Sequence, residues 1–198
     1  MTRLAFLSLV ALVAVSACST TPSATPTVSP AAASATATNS PSPARTTGVA
    51  IVDQVTAAVA AKDAIKLASL LHAWPRPCVA TAAVGERSCP PNVAAGTPVM
   101  VVGVGYGEAA FIQPGDPGIQ MWTQRFVTEA TKLHAILRAP TSPGANPAPG
   151  VYQIVFEPGM VLSVDAEGVT FMTFDSMGAA AYLATGRFGS NPEYLVRP

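Results

Sequence analysis

Charge is scarce in this chain, and so are the residues that most often carry chemistry. Charged side chains make up 11% of the 198 residues, and eleven basic groups cancel eleven acidic ones. No run of Lys or Arg marks a surface for nucleic acid or for an anionic membrane. Histidine occurs twice, at His72 and His134, and cysteine three times, at Cys18, Cys78 and Cys89. Cys78 and Cys89 have no histidine or third thiol beside them, which makes a poor zinc site. Their spacing is also wrong for a C-x-x-C redox motif. No Gly-x-Ser-x-Gly occurs, so no serine sits on a nucleophile elbow. The one Gly-rich stretch that follows a strand pattern, Gly103-Val104-Gly105-Tyr106-Gly107, has neither the spacing of a dinucleotide fingerprint nor the Gly-Lys-Ser/Thr of a phosphate loop. It reads as a hairpin turn with close backbone contacts. Neither a cofactor nor a metal is expected.

Long apolar runs are also missing, with one exception. Leu4 to Ala17 is apolar or small apart from Ser8 and Ser16, after a positive start at Arg3, and it ends in Val15-Ser16-Ala17-Cys18. A spanning helix needs about 20 apolar residues, so this run reads as a secretion signal with a small-residue cleavage site. An uncleaved anchor is the competing reading. The tetrapeptide resembles the lipobox of bacterial lipoproteins, and the resemblance implies that residues 1–18 are removed up to a lipidated Cys18, which becomes the mature N-terminus. The expected location is then the extracytoplasmic face of the cell membrane, held by that lipid. Without Arg3 the remaining chain carries a net charge near minus one.

Ser19 to Gly48 is compositionally a linker. Twenty-six of its thirty residues are Ser, Thr, Pro or Ala, and Val28 is its only large aliphatic residue. Such a segment cannot bury enough apolar surface to offset its ordering entropy. Its prolines favour extended stretches, which gives a tether with a ceiling on the order of 90 Å. Its Ser/Thr/Pro content also permits O-glycosylation.

Residues 49–198 have the length of one domain. Ile51, Val52, Val55 and Val59 recur at helical spacing, and Ile65, Ala68 and Leu71 continue an apolar face. Asp63 suits an N-cap, so two short helices meeting at Lys62-Asp63 are predicted, although one continuous helix also fits. Pro75 and Pro77 close the helical run. A short strand is predicted around Cys78-Val79-Ala80, a valine-rich buried strand over Thr97 to Val104, and a weaker one over Glu108 to Ile112. The turn Pro114 to Gly118 precedes a helix from Ile119 to Thr128 whose face is Ile119, Trp122, Phe126 and Ala130. Lys132 to Ala139 alternates as a strand, with helix continuation as the competitor. After a Pro/Gly-rich loop come strands over Val151–Glu157, Met160–Asp165 and Val169–Phe174, the last two forming a hairpin. Met177 to Thr185 suits a helix, and the tail from Gly186 reads as irregular. The element order predicts an α+β domain, with N-terminal helices packed on a curved, mostly antiparallel sheet.

Export places Cys78 and Cys89 in an oxidising compartment, where a bridge is the natural state and free thiols the alternative. His72, at a helix end, reads as a capping or half-buried structural residue. His134 falls on the polar side of its strand and reads as solvated. Acid–base work would need one of them to share a cavity with Asp53, Asp63 or Glu129. Asp165, Glu167 and Asp175 flank turns, where carboxylates usually hold turn amides. Trp74, Trp122, Tyr152, Phe156, Phe171 and Phe174 read as core rather than as a sugar platform.

The element order is similar to the NTF2-like (SnoaL-like) cone fold, in which N-terminal helices close over a curved sheet to form a pocket. Pro77-Cys78-Val79, Cys89, Gly96-Thr97-Pro98-Val99 and Tyr152-Gln153-Ile154-Val155-Phe156 also resemble exported lipoproteins with a paired-cysteine loop, a resemblance that implies no particular activity. Catalytic members of the NTF2-like group place His, Asp or Tyr inside the pocket, and no residue here matches such a pattern. The expected function is a membrane-anchored, non-catalytic domain that binds a small apolar ligand or an envelope protein. A small NTF2-like hydrolase or isomerase with His72 or His134 as base is the alternative, and a structural envelope component is a third.

Overall fold

The computed structural model describes residues 46–83, 86–106, 108–139, 150–185, 188 and 192–198. The signal segment, Cys18 and the tether as far as residue 45 lie outside the described residues, as do Gly107 and most of the loop after Ala139.

Two helices open the domain, α1 (Ala50–Ala60) and α2 (Ala64–Ser69). The break between them follows from Lys62, whose φ of 57° leaves the helical region, and from Asp63, whose side chain accepts the Lys66 N–H at 2.8 Å. α1 is held at its start by Asp53, whose Oδ1 accepts from both the N–H and the hydroxyl of Thr47. A carboxylate in the first turn also suits the helix dipole. Asp63 therefore acts as a cap, and Asp53 ties the entering chain to the first turns of α1. The helical run ends at Ser69, ahead of the prolines predicted to stop it.

Pro75 and Pro77 lie instead in the strand β1 (Trp74–Pro77), so the strand falls before Cys78 rather than around it. Among the described residues it pairs with β2 (Pro98–Tyr106) alone, at the edge of the sheet, where a missing N–H is tolerated. Val79 makes a single bridge to Ser88. β3 (Glu108–Ile112) turns back on β2, and α3 (Gly118–Glu129) follows, its start fixed by Asp116, which accepts the Gly118 N–H at 2.8 Å. The chain then runs through a meander of β4 (Lys132–Arg138), β5 (Tyr152–Glu157), β6 (Met160–Val164) and β7 (Val169–Phe174). α4 (Ala179–Ala184) and a short β8 (Tyr194–Val196) complete it. The tail predicted to be irregular thus contributes a strand, which pairs with β4.

The sheet runs β1-β2-β7-β6-β5-β4-β8, with β3 also on β2, and its pairs are antiparallel except β2 with β7. The α+β architecture expected from the sequence is present, with a mixed, mostly antiparallel sheet. Two glycines of β2 are closely approached by its neighbours, Gly103 by β7 of the meander and Gly105 by β3. A Cβ on Gly103 would stand 1.9 Å from the Phe171 ring, and one on Gly105 would stand 2.1 Å from the Glu108 carbonyl. Those two contacts are why the strand carries glycine at alternate positions.

Both faces of the sheet are covered. On one, Val52, Val55 and Val59 of α1, Leu67 of α2 and Phe126 and Val127 of α3 meet Ile136, Ile154, Leu162 and Met172 of the strands, all at no more than 1% exposure. On the other, Tyr182 of α4 and Phe188 cover Ala135, Leu137, Val155 and Val161. A third cluster gathers Trp74, Cys78, Val99, Val101 and Phe111 under the loop that follows β1. That loop is closed by the Cys78–Cys89 disulfide, with Cα atoms 4.8 Å apart. Among the described residues no helix is long and apolar enough to cross a membrane.

Candidate functional site

His72 follows α2 in a segment that is stitched to the β6–β7 turn. Its own N–H donates to the Val169 carbonyl, and the Val169 N–H donates to the Leu70 carbonyl, both at 2.8 Å. A Cβ on Gly168 would stand 2.3 Å from the Leu70 oxygen, so the turn needs glycine there. This packing carries the imidazole to Asp165, with Nδ1 2.7 Å from Oδ2. Asp165 is itself fixed, because its Oδ1 accepts the N–H groups of Glu167 and Gly168 at 2.9 and 2.8 Å. Glu167 stands to the side, its Oε2 4.0 Å from the same imidazole nitrogen.

The three side chains offer one donor atom each, all within 4.8 Å of one another. Imidazole with two carboxylates is a donor set for a divalent cation such as zinc or manganese. The same arrangement also serves without a metal. A carboxylate that accepts from Nδ1–H fixes the ring and its tautomer, and leaves Nε2 as a base. The side chain of Asp165 is 12% exposed and that of His72 36%, so the carboxylate is sheltered while the ring reaches the surface.

His134 makes a second pair of this kind, and the structure corrects its predicted solvation. Its side chain is 17% exposed, and Nδ1 lies 2.7 Å from Glu157 Oε1. The cause is a register shift between Leu133 and Ala135, where β4 carries one residue more than β5. The extra residue upsets the alternation that would have turned His134 outward. Asp53 is held by Thr47 and Asp63 by its capping bond, and Glu129 pairs with Arg125 at 2.7 Å. None of the three has a bond to either imidazole among the described residues.

A different feature stands at the far end of β2. Tyr106 is 44% exposed, although its ring stacks on Phe174 with centroids 4.3 Å apart and tilts against Trp122 at 5.6 Å. The Arg125 guanidinium lies 4.1 Å from its ring centre. Tyr106 lines two surface clefts. One, of about 230 Å³, is shared with Glu129, Gly159, Phe174, Asp175 and Ser176. The other, of about 420 Å³, is shared with Glu86, Glu108, Ala109 and Trp122. Neither histidine lines either cleft. The six aromatic residues assigned to the core divide unevenly. Trp74, Phe156 and Phe174 are buried, while Trp122, Tyr152 and Phe171 are half-buried.

Neither the exposure of Tyr106 nor the pairing of His72 with Asp165 is expected from the sequence. The signal for Tyr106 was its place between two glycines at a strand end, where no neighbouring side chain can cover it. His72 and Asp165 are 93 positions apart, and no local pattern links them. No family model, no curated protein and no solved structure matches the chain.

Proposed function

We propose that this is an exported lipoprotein, anchored through Cys18, whose domain binds a small ligand in the cleft beside Tyr106. The observation that carries the proposal is a tyrosine left 44% exposed at a cleft of about 230 Å³ that Glu129 and Asp175 also line. A few convergent polar groups beside an apolar wall are the ordinary make-up of a ligand site. The space between the helices and the sheet, where an NTF2-like pocket would lie, is occupied by side chains such as Phe126, Leu162 and Met172 at no more than 1% exposure. The hairpin β2–β3, the crossing helix α3 and the meander β4 to β7, with β2 parallel to β7, support the resemblance to that fold. The ligand reading therefore moves from the interior to the surface. Native against denaturing mass spectrometry of the full chain tests it. An adduct present only under native conditions and absent from Tyr106→Ala supports the cleft; an adduct that survives Tyr106→Ala overturns it. Anchoring is tested separately, since Cys18→Ala should leave the membrane fraction, and a variant that stays there refutes lipidation.

A second reading has its own observation. The His72–Asp165–Glu167 group favours a small hydrolase or isomerase in which His72 Nε2 is the base and Asp165 orients it, or in which the three residues hold a divalent cation. Calorimetric titration with Zn²⁺ separates the two forms. Saturable binding lost in Glu167→Ala supports the cation site. No heat, together with turnover of an ester panel that His72→Gln abolishes, supports the base. Failure of both removes this reading.

A further inference from the structure

We infer that the Tyr106 cleft takes a neutral, hydroxyl-rich ring, that is, a saccharide; the inference rests on the binding reading above and names its ligand class. Arg125 occupies one approach to Tyr106, its guanidinium 4.1 Å from the ring centre, and it pairs with Glu129 Oε1 at 2.7 Å. A second cation arriving at the same ring would be repelled by the first, which disfavours an organic ammonium ion. A purely apolar ligand would strip water from Glu129 and Asp175 and give them nothing back.

What remains open to a ligand is the exposed part of Tyr106 beside Glu129, Asp175 and Ser176, residues that carry acceptors. Asp175 Oδ1 is held by the Met177 N–H at 2.9 Å, which fixes the carboxylate and leaves Oδ2 for a ligand. Glu129 keeps a second oxygen outside its pair with Arg125, and Ser176 lines the same cleft. Fixed carboxylate oxygens take hydroxyl donors with charge-assisted bonds. The axial C–H face of a sugar ring lies on an aromatic ring without needing a charge. Tyr106 is suited to that role because it is backed by Phe174 and Trp122 rather than free to swing. A cleft of about 230 Å³ has room for a single sugar ring and the start of its neighbour.

The test is isothermal titration of the full chain in lipid nanodiscs with two probes, chitotetraose as a neutral saccharide and spermidine as an organic cation. Chitotetraose should bind saturably below about 10 mM. Tyr106→Ala should weaken it about tenfold or more, Tyr106→Phe by less than about threefold, and Asp175→Asn about fivefold. Asp175→Asn keeps the oxygen that accepts from Met177, so a loss of affinity there does not depend on a loss of folding. Binding of spermidine and not of chitotetraose, abolished by Tyr106→Ala, overturns the ligand class and leaves the cleft as a site. Binding of neither probe overturns the saccharide and weighs equally against the cleft. Chitotetraose affinity unchanged in both Tyr106→Ala and Asp175→Asn overturns the placement.

Discussion

The two faces of the sheet are stabilised by different means. The helix side is a continuous core of large aliphatic and aromatic side chains drawn from α1, α2, α3 and six strands. The opposite side has two smaller clusters, one under α4 and one under the disulfide loop. The first depends on apolar area, since burying one large side chain contributes roughly 1.5–3 kcal/mol. The loop cluster has fewer such residues and adds a covalent bridge, with the Arg76 guanidinium 4.0 Å from the Phe111 ring centre. Apolar burial dominates the helix side, whereas a cross-link supplements burial where the chain between β1 and β2 supplies a loop with few large apolar residues.

The largest test of that contrast is Phe126→Ala. Phe126 is fully buried and meets Phe156 and Phe174 edge-on at 5.9 Å each. Its truncation should cost about 3–5 kcal/mol, seen as a lower urea midpoint at unchanged slope. A cost below about 1 kcal/mol would mean that the helix side is not the dominant core. The double variant Cys78→Ala/Cys89→Ala comes next. Eleven positions separate the two cysteines, and removing a cross-link over a loop of that size should cost about 2–3 kcal/mol. The bridge is independent of α1 to α3, so the two losses should add. Strong coupling between them would show that the faces share more than the sheet.

Much of this architecture was legible in the sequence, because most elements carry their own local signal. Asp63 announced the break between α1 and α2, Phe126 and Trp122 marked the inner face of α3, and β5, β6 and β7 followed from alternation and turn residues. Cys78 and Cys89 were legible from compartment chemistry. What was not legible depends on distant pairing. β8 is only three residues long and is ordered by its partner β4. The strand near Cys78 was displaced because Pro75 and Pro77 read as helix breakers, when they are edge residues of a sheet. His134 was turned inward by a bulge that alternation cannot reveal. The candidate sites divide in the same way. The Tyr106 cleft gathers residues from β2, α3 and the turns before β6 and after β7, and the His72–Asp165 pair exists only once the segment after α2 is laid on the β6–β7 turn.

That pair gives a smaller prediction, at the junction between the helices and the sheet. Asp165→Ala removes the acceptor of two backbone N–H groups and of the His72 ring. The amides are left short of a partner in a site where the residue is 8% exposed. The expected loss is about 1–3 kcal/mol. His72→Ala should cost less, about 1 kcal/mol, because the turn amides keep Asp165. If His72→Ala proves the more damaging of the two, the imidazole contributes to stability by its own packing.

The smallest effect is expected at the Tyr106 cleft, where Glu129→Ala breaks the pair with Arg125. The two side chains are 40% and 47% exposed and one helical turn apart. Exposed pairs of this spacing contribute about 0.3–0.5 kcal/mol, and salt weakens them further. Stability should therefore change little, and the midpoint should be nearly the same as that of the parent at high ionic strength. This separates the cleft proposed for binding from the regions that hold the fold. A helix-side or loop-side residue of similar size cannot be truncated so cheaply, and Glu129 can, because the ring it stands beside is supported from below by Phe174 and Trp122. A loss above about 1 kcal/mol would place Glu129 in the structural framework of α3, and the contrast between the cleft and the two cores would fail at that residue.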